Sequence, residues 1–477
     1  IRYKVMDANT IRIETRDSIR IKLTAIQGPK PEDNRWYKIA QSAARVAMMV
    51  RNVSVTYKNT YAMSISGFRP EIGDMLGQTK GASGFAPGLD FAFGMTGDSY
   101  INKALDNGWL VSDSVVSPAT TNAQEDLQIR MTLEPVRDLK IDLNAGRTRN
   151  KSNQIQFMYE GMPQIQSGNF NMTVITIGSA FERRSASNGY SSSSFNRFLG
   201  NLDIIKNRIE NMYAGVPYQG QSGLNQQPLY QVNKYSSDVM IPAFLAAYTG
   251  RSASNSALDL FPGILSMMPN WRVTYSGLSK LEFFKKYFKS VTLNHAYRST
   301  YSVGSYSTFQ NFHSYMGDWG FVDDIQTGIP VPSSMYDVSA VSINEQFSPL
   351  LGVDVTFKNG ITTKVEYKTT RILNLSLAAN QIVESSTKDF VLGMGYKIMG
   401  LELFPGRNKK DSKNKISNDL ALRMDVSFRN QSALARDIQQ VTTQATSGNK
   451  ALKISFSADY TLSRLLSVSF YYDRQKN

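Results

Sequence analysis

The 477 residues contain two histidines, His295 and His313, and no cysteine. That count excludes a thiol nucleophile, a disulfide framework, a Cys/His zinc site and an iron–sulfur cluster. Two imidazoles offer little scope for His-based acid–base chemistry. No P-loop, no GxGxxG after a strand, no HExxH and no GxSxG occurs. Gly81–Gly84 (GASG) lacks the strand–turn–helix setting of a nucleophile elbow, and Asp323 and Asp324 fall in a loop where spacing alone defines no calcium site. His295 shares a strand phase with Leu293, Tyr297 and Tyr301, which points to packing rather than catalysis. No catalytic residue, metal or cofactor is expected, and the chain reads as a non-enzyme. The remaining chemistry is charge: 53 Lys+Arg against 39 Asp+Glu, a net of +14. A basic excess can mark nucleic-acid binding, but here cations alternate with anions along strands and form no stripe, so no nucleic-acid partner is expected. The basic run Arg407–Lys415 reads as a solvated loop tip.

The alternating charges must be carried by strands. Leu127, Ile129, Met131 and Leu133 alternate with polar residues, as do Leu139, Ile141, Leu143 and Ala145. The same period of two runs through Leu351–Phe357, Ile361–Tyr367, Phe390–Ile398, Leu420–Phe428, Leu452–Tyr460 and Leu466–Tyr472, and also through Ile19–Ala25, Leu89–Met95 and Val291–Val303. Each predicts a strand with one apolar and one wet face. The wet phase carries Arg20, Lys22, Arg130, Lys140, Asp142, Asp354, Lys364, Glu366, Lys368, Arg423, Asp425 and Lys453. If the strands form a barrel, these twelve line its lumen.

Hairpin register can be read from the phase, because residues paired across a turn share a face. A three-residue loop Lys358–Gly360 pairs Phe357 with Ile361 and sets Asp354 opposite Lys364. A five-residue loop Glu134–Asp138 would set Arg130 opposite Asp142, and a loop Thr461–Leu465 would set Lys453 opposite Asp473 and Phe456 opposite Phe470. Gln310–Val338 and Asn430–Lys450 read as long loops. Helical spacing appears near 36–50, 100–110, 195–209 and 239–248, with Pro242 expected in the first turn of the last. Leu281–Phe288 is a short aromatic, basic segment suited equally to a membrane interface and to a helix packed on a neighbouring loop.

No run approaches the ~18 apolar residues of a membrane helix. Strands of about 10 residues, alternating short and long connections, and aromatic residues at strand ends, namely Phe357, Tyr367, Tyr396 and Tyr472 as a girdle, favour an outer-membrane barrel over a soluble β-protein. The chain begins at Ile1 without a signal segment and is expected to be a portion of a longer polypeptide.

Three segments have distinctive wording: DLQIRMTLEPVRDLKIDLNAGRTRN at 126–150, ALDLFPGILSMMPNWRVTYSGLSKLEFFKKYFKSVTLNHAYRSTYSVGSYSTF at 257–309 and QFSPLLGVDVTFKNGITTKVEYKTTRILNLSLAANQIVESSTKDFVLGMGYKI at 346–398. With them the chain resembles, over essentially its whole length, the SprA/Sov family. These are the outer-membrane translocons of the type 9 secretion system, tied to gliding motility in Bacteroidetes. The resemblance implies an all-β membrane protein, part of a very large single-chain transmembrane barrel of antiparallel strands with long loops and a few helical inserts. Residues 1–477 would form a C-terminal portion of that barrel in the bacterial outer membrane. It implies a wide pore for folded proteins bearing C-terminal sorting domains. It further implies a PorV-type barrel docked at a lateral opening, a periplasmic plug protein, surrounding outer-membrane lipids, and energy from an inner-membrane proton-driven motor. The rival expectations are a small-ligand importer barrel, which would carry an N-terminal plug and an energy-coupling box, and a surface β-rich adhesin.

Overall fold

A computed structural model describes residues 2–7, 10–14, 39, 41, 48–71, 73–81, 84–111, 117–157, 164–182, 185–214, 216, 231–324, 330–401, 419–461 and 466–476. Arg20 and Lys22 lie outside these residues, as do the strand expected at Ile19–Ala25 and the basic run Arg407–Lys415. The chain divides into two compact units, Ile1–Met49 and Val50–Asn477. In the first, β1 (Arg2–Asp7) and β2 (Thr10–Glu14) form an antiparallel hairpin with Lys4 opposite Arg12. The helix expected at 36–50 is described only at 39, 41, 48 and 49, and it gives way to strand at Val50.

The second unit is organised around one antiparallel sheet. It opens with β3 (Val50–Ser64). A small hairpin of β4 (Thr79–Gly81) and β5 (Gly84–Ala86) follows, with helices α1 (Leu89–Ala92) and α2 (Tyr100–Asp106). The strand expected at Leu89–Met95 is therefore helix and turn. Gly88 and Gly94 bracket the run at positive φ, and Lys103 on α2 holds Asp90 at 2.7 Å. The long hairpin β6 (Ala119–Val136) and β7 (Leu139–Ile155) comes next, then β8 (Ile165–Thr173). The chain then leaves the sheet for an insert built on α3 (Ser193–Met212) and α4 (Ser237–Thr249), and returns as β9 (Asn270–Tyr275). A single-turn helix α5 (Glu282–Tyr287) leads into β10 (Phe288–Thr308).

The stretch expected as the loop Gln310–Val338 holds a three-stranded sheet of β11 (Phe312–Met316), β12 (Trp319–Asp323) and β13 (Pro330–Ser334), and then β14 (Tyr336–Val338). Six long strands complete the chain: β15 (Ala340–Phe357), β16 (Ile361–Ser376), β17 (Gln381–Ile398), β18 (Leu420–Asp437), β19 (Thr442–Thr461) and β20 (Ser467–Lys476).

The large sheet follows the order β20-β19-β18-β17-β16-β15-β10-β8-β7-β6-β3. β8 and β9 occupy the same lane between β7 and β10: β8 pairs with Arg147–Gln154 and Thr300–Ser307, β9 with Leu139–Asn144 and Leu293–Tyr297. The insert thus emerges from a break in one strand. Side chains mend the ladder at the break, where every buried backbone group needs a partner. The Ser299 N–H donates to Asn270 Oδ1 at 2.8 Å and the Gly146 N–H to Thr173 Oγ1 at 3.1 Å.

The predicted hairpin at 358–360 has the expected register, with Asp354 opposite Lys364 and Gly360 at φ 87°, a conformation glycine adopts without steric cost. Two others differ by two residues. Leu133 pairs with Ile141 and Val136 with Leu139, so Asp142 faces Thr132 and Arg130 faces Asn144. The extra residue is absorbed at Pro135, which cannot donate to a ladder and suits a bulge. Phe456 pairs with Tyr472 and Ser455 with Asp473, while the turn residues 462–465 lie outside the described residues. A shift of two leaves every side chain on its face. The expected loop Asn430–Lys450 is instead a continued hairpin, with Asn430 paired to Lys450 and Asp437 to Thr442.

Candidate functional site

The pairing fixes which residues share a face. One row crosses the sheet as Val53, Met131, Leu143, Trp271, Tyr297 and Phe347. Another continues as Leu293, Val353, Val365, Leu392, Val426 and Ile454. On β17, β18 and β19 this apolar phase runs over Phe390–Ile398, Leu420–Phe428 and Leu452–Tyr460, nine residues each. Large side chains here stand in the open, among them Phe390, Met394, Met424, Phe428 and Phe470. A membrane strand needs about 9–11 residues at a ~45° tilt.

The opposite face is mostly polar. One row reads Thr292, Asp354, Lys364, Gly393, Asp425, Ser455 and Asp473. The next reads Asn294, Gly352, Glu366, Val391, Ser427, Lys453 and Gln475. The sheet brings Arg130, Lys140, Asp142, Asp354, Lys364, Glu366, Lys368, Arg423, Asp425 and Lys453 to this one face. Most are paired along or across strands. Lys364 and Lys368 each reach Glu366 at 2.9 Å, Arg423 reaches Asp425 at 2.7 Å, Lys140 reaches Asp142 at 3.1 Å, and Lys453 lies 3.8 Å from Asp473. A β-carbon on Gly393 would lie 2.8 Å from Asp425 Oδ1, so the glycine leaves room for that carboxylate.

The four aromatic residues expected as a girdle all project from the apolar face. Phe357 and Tyr396 lie level with Ile361 near the tight turn, and Tyr367 lies level with Leu351 and Phe390 at the opposite border. Tyr472 sits further in, level with Phe456 and Met424, because the β19–β20 register is two residues away from the expected one.

Beyond that border the same face changes character. Thr369, Lys388, Asn430 and Lys450 form the next row. Past it the face is covered by the insert. Helix α3 is legible from its sequence: the Ser192 hydroxyl accepts the Phe195 N–H at 3.1 Å, and Phe195, Phe198, Leu202, Ile205 and Ile209 are buried. α4 is apolar nearly all round and buried against it, with Pro242 in its second turn rather than the first. Both pack on Phe170, Tyr301, Ile343, Leu373 and Ile382.

Four charges that the sequence reading passed over lie under this cover. Glu345, Arg371, Glu384 and Arg436 are all at least 96% buried, on four adjacent strands. Arg371 Nη2 stands 2.7 Å from Glu345 Oε2, an ion contact whose angle is too poor for a hydrogen bond, and Arg436 Nη2 donates to Glu384 Oε2 at 3.3 Å. Glu345 Oε1 accepts from Thr176 Oγ1 at 2.6 Å and from the Tyr297 hydroxyl at 3.0 Å. The guanidinium groups reach the insert: Arg371 donates to the Ser179 carbonyl at 2.6 Å, and Arg436 to the Tyr190 carbonyl at 2.9 Å. Two anions balance two cations, as burial demands. The available signal was charge on the apolar phase, for example Glu345 between Ile343 and Phe347.

Two further carboxylates anchor the insert. Burial pushes Glu182 upward, but hydrogen bonds from Ser192, Ser194 and Ser193 outweigh it and hold the carboxyl below its ordinary value. Burial raises Asp238, and the hydrogen bonds from Ser334 and Ser333 offset this only in part.

His295 Nδ1 lies 2.6 Å from the Leu350 carbonyl, packed beside Trp271 and Phe347. Among the described residues no group of three or more His, Asp or Glu is placed to hold a metal, and no helix is long and apolar enough to cross a membrane. No protein-family model matches the chain, and no curated protein matches it.

Proposed function

We propose that this chain forms part of the wall of an outer-membrane protein-conducting translocon of the SprA/Sov type. The observation that carries the reading is the two-faced sheet: an exposed apolar band nine residues deep on one side, and hydroxyls with paired, mixed-sign charges on the other. In a bilayer the first face meets lipid and the second lines water. Lipid-facing charges would cost about 2–4 kcal/mol each at the midplane, which sets the orientation. A wall of so many strands that, among the described residues, has β3 and β20 as its edges suits a barrel of large diameter.

A lumen of neutralised ion pairs and hydroxyls offers a passing folded protein neither an apolar patch nor a strong field of one sign. In this reading the passengers carry C-terminal sorting domains and leave sideways to a PorV-type barrel. A periplasmic plug closes the idle pore, and an inner-membrane proton-driven motor supplies energy. Depletion of the protein in its native bacterium is the test. Sorting-domain proteins that vanish from the medium and collect, folded, in the periplasm support the reading. Unchanged secretion with failed uptake of a nutrient overturns it in favour of an importer. Release of the protein from membranes by carbonate or high salt overturns the membrane wall itself.

A further inference from the structure

The insert does not lie flat on the apolar face. Between Ala180, Phe181, Glu182, Ser185 and Tyr190 of the insert and strands β15–β19 is a cleft of about 910 Å³, within the ~300–1,000 Å³ range of small-molecule sites. The cleft sits just past the last apolar row, which reads Leu351, Tyr367, Phe390, Phe428 and Leu452. Its lining is split. Tyr367 and Leu350 stand at the last apolar row, Phe347 lies one row further on, level with Thr369, and the exposed ring of Phe181 stands 5.2 Å from it. Thr369, Ser386, Lys388, Asn430 and Ser432 supply the polar wall.

The charge is also specific. Glu345 and Glu384 are answered by Arg371 and Arg436, and Glu182 is taken up by three serines. Lys388, in contrast, has no carboxylate within ion-pair distance among the described residues, and neither has Lys450, level with it along Asn430. Glu182 keeps its negative charge among the serine hydroxyls, so Lys388 and Lys450 are the cations here without a carboxylate partner among the described residues.

We propose that this cleft binds the anionic headgroup of a membrane phospholipid as a resident lipid, with its acyl chains laid along Tyr367, Phe390 and Phe428. The assignment rests on the membrane-wall reading above and deepens it. Phosphate oxygens accept from the Lys388 ammonium and from the hydroxyls beside it, and the chains follow the apolar row that begins where the polar wall ends. A bound lipid there would fill the seam between wall and insert.

The test uses the full-length protein, extracted from native membranes in mild detergent and weighed intact by native mass spectrometry. The expected result is one retained phospholipid that falls at least fivefold in occupancy in Lys388→Glu and is unchanged in Lys58→Glu, a charge reversal on the opposite face of β3. Because Lys388 is exposed, the folded protein survives the change, and a second variant, Ser432→Asp, should lower occupancy in the same direction. Phosphatidylglycerol added back to delipidated wild type should restore the adduct. A retained phosphorylated glycolipid in place of a phospholipid overturns the assignment of the ligand. A wild type that needs detergent yet retains no lipid, or equal loss in Lys388→Glu and Lys58→Glu, overturns the site while the wall stands. A protein that stays in solution without detergent overturns the wall first.

Discussion

Arg371 links the wall to the insert, because its guanidinium meets Glu345 on one side and the Ser179 carbonyl and hydroxyl on the other. Removing one member of a buried ion network leaves its partners charged and dry, at a cost of about 3–5 kcal/mol. Arg371→Met should therefore destabilise the folded protein by that amount in urea titration in detergent micelles. Arg423→Met, which breaks an exposed pair with Asp425, should cost less than about 1 kcal/mol.

Glu182 supplies a pH dependence of known sign. Its folded pKa lies below the ordinary 4.5, so the stabilisation is complete above that value and is lost as pH falls through the depressed one. The protection of the first turn of α3 against hydrogen exchange, taken relative to the intrinsic rate at each pH, should fall on acidification through that window, and Glu182→Gln should abolish this pH dependence. Asp238 runs the other way. Its raised pKa favours the proton-bound form in the fold, so Asp238→Asn should be better tolerated than Glu182→Gln in the same assay.

At the scale of elements, the strand is the unit that carries the two faces, and adjacent positions on it should respond oppositely to the same change. Val426 and Ser427 are neighbours on β18, one in the apolar row with Leu392 and Ile454, the other in the polar row with Lys453. Val426→Arg should reduce folding stability in lipid vesicles by about 2–4 kcal/mol, while Ser427→Arg stays near zero. Heat-dependent gel mobility after refolding would measure both. The hairpins argue the same point from register. Two of the three turns read from sequence were displaced by two residues, around Pro135 and beyond Thr461, and neither displacement moved a side chain to the other face. Phase is fixed by alternation and is insensitive to even shifts, whereas loop length depends on local bulges that alternation does not encode.

At the scale of the whole molecule, the absence of cysteine makes topology directly measurable. Single cysteines at Ser427 and Ser455 should react with a hydrophilic, membrane-impermeant maleimide in intact outer membranes, and cysteines at Val426 and Ile454 should not. Equal labelling of both sets would mean that the apolar face is not covered by lipid. The pleat follows from local alternation: the phase of the long strands, the Lys358–Gly360 turn and the amphipathic α3 each depend on side chains close together in the chain. What covers the apolar phase depends on distant parts of the fold. Phe390 and Ile382 occupy the same phase of β17, yet one is open and the other is sealed beneath an insert that leaves the sheet at Thr173 and returns at Asn270. Glu345 and Arg371 look misplaced in their own strands and are balanced only by residues that the fold brings from elsewhere. A period of two is a local property of an extended backbone. Burial of a charge depends on groups far away in the chain, and no alternation pattern can report where they will lie.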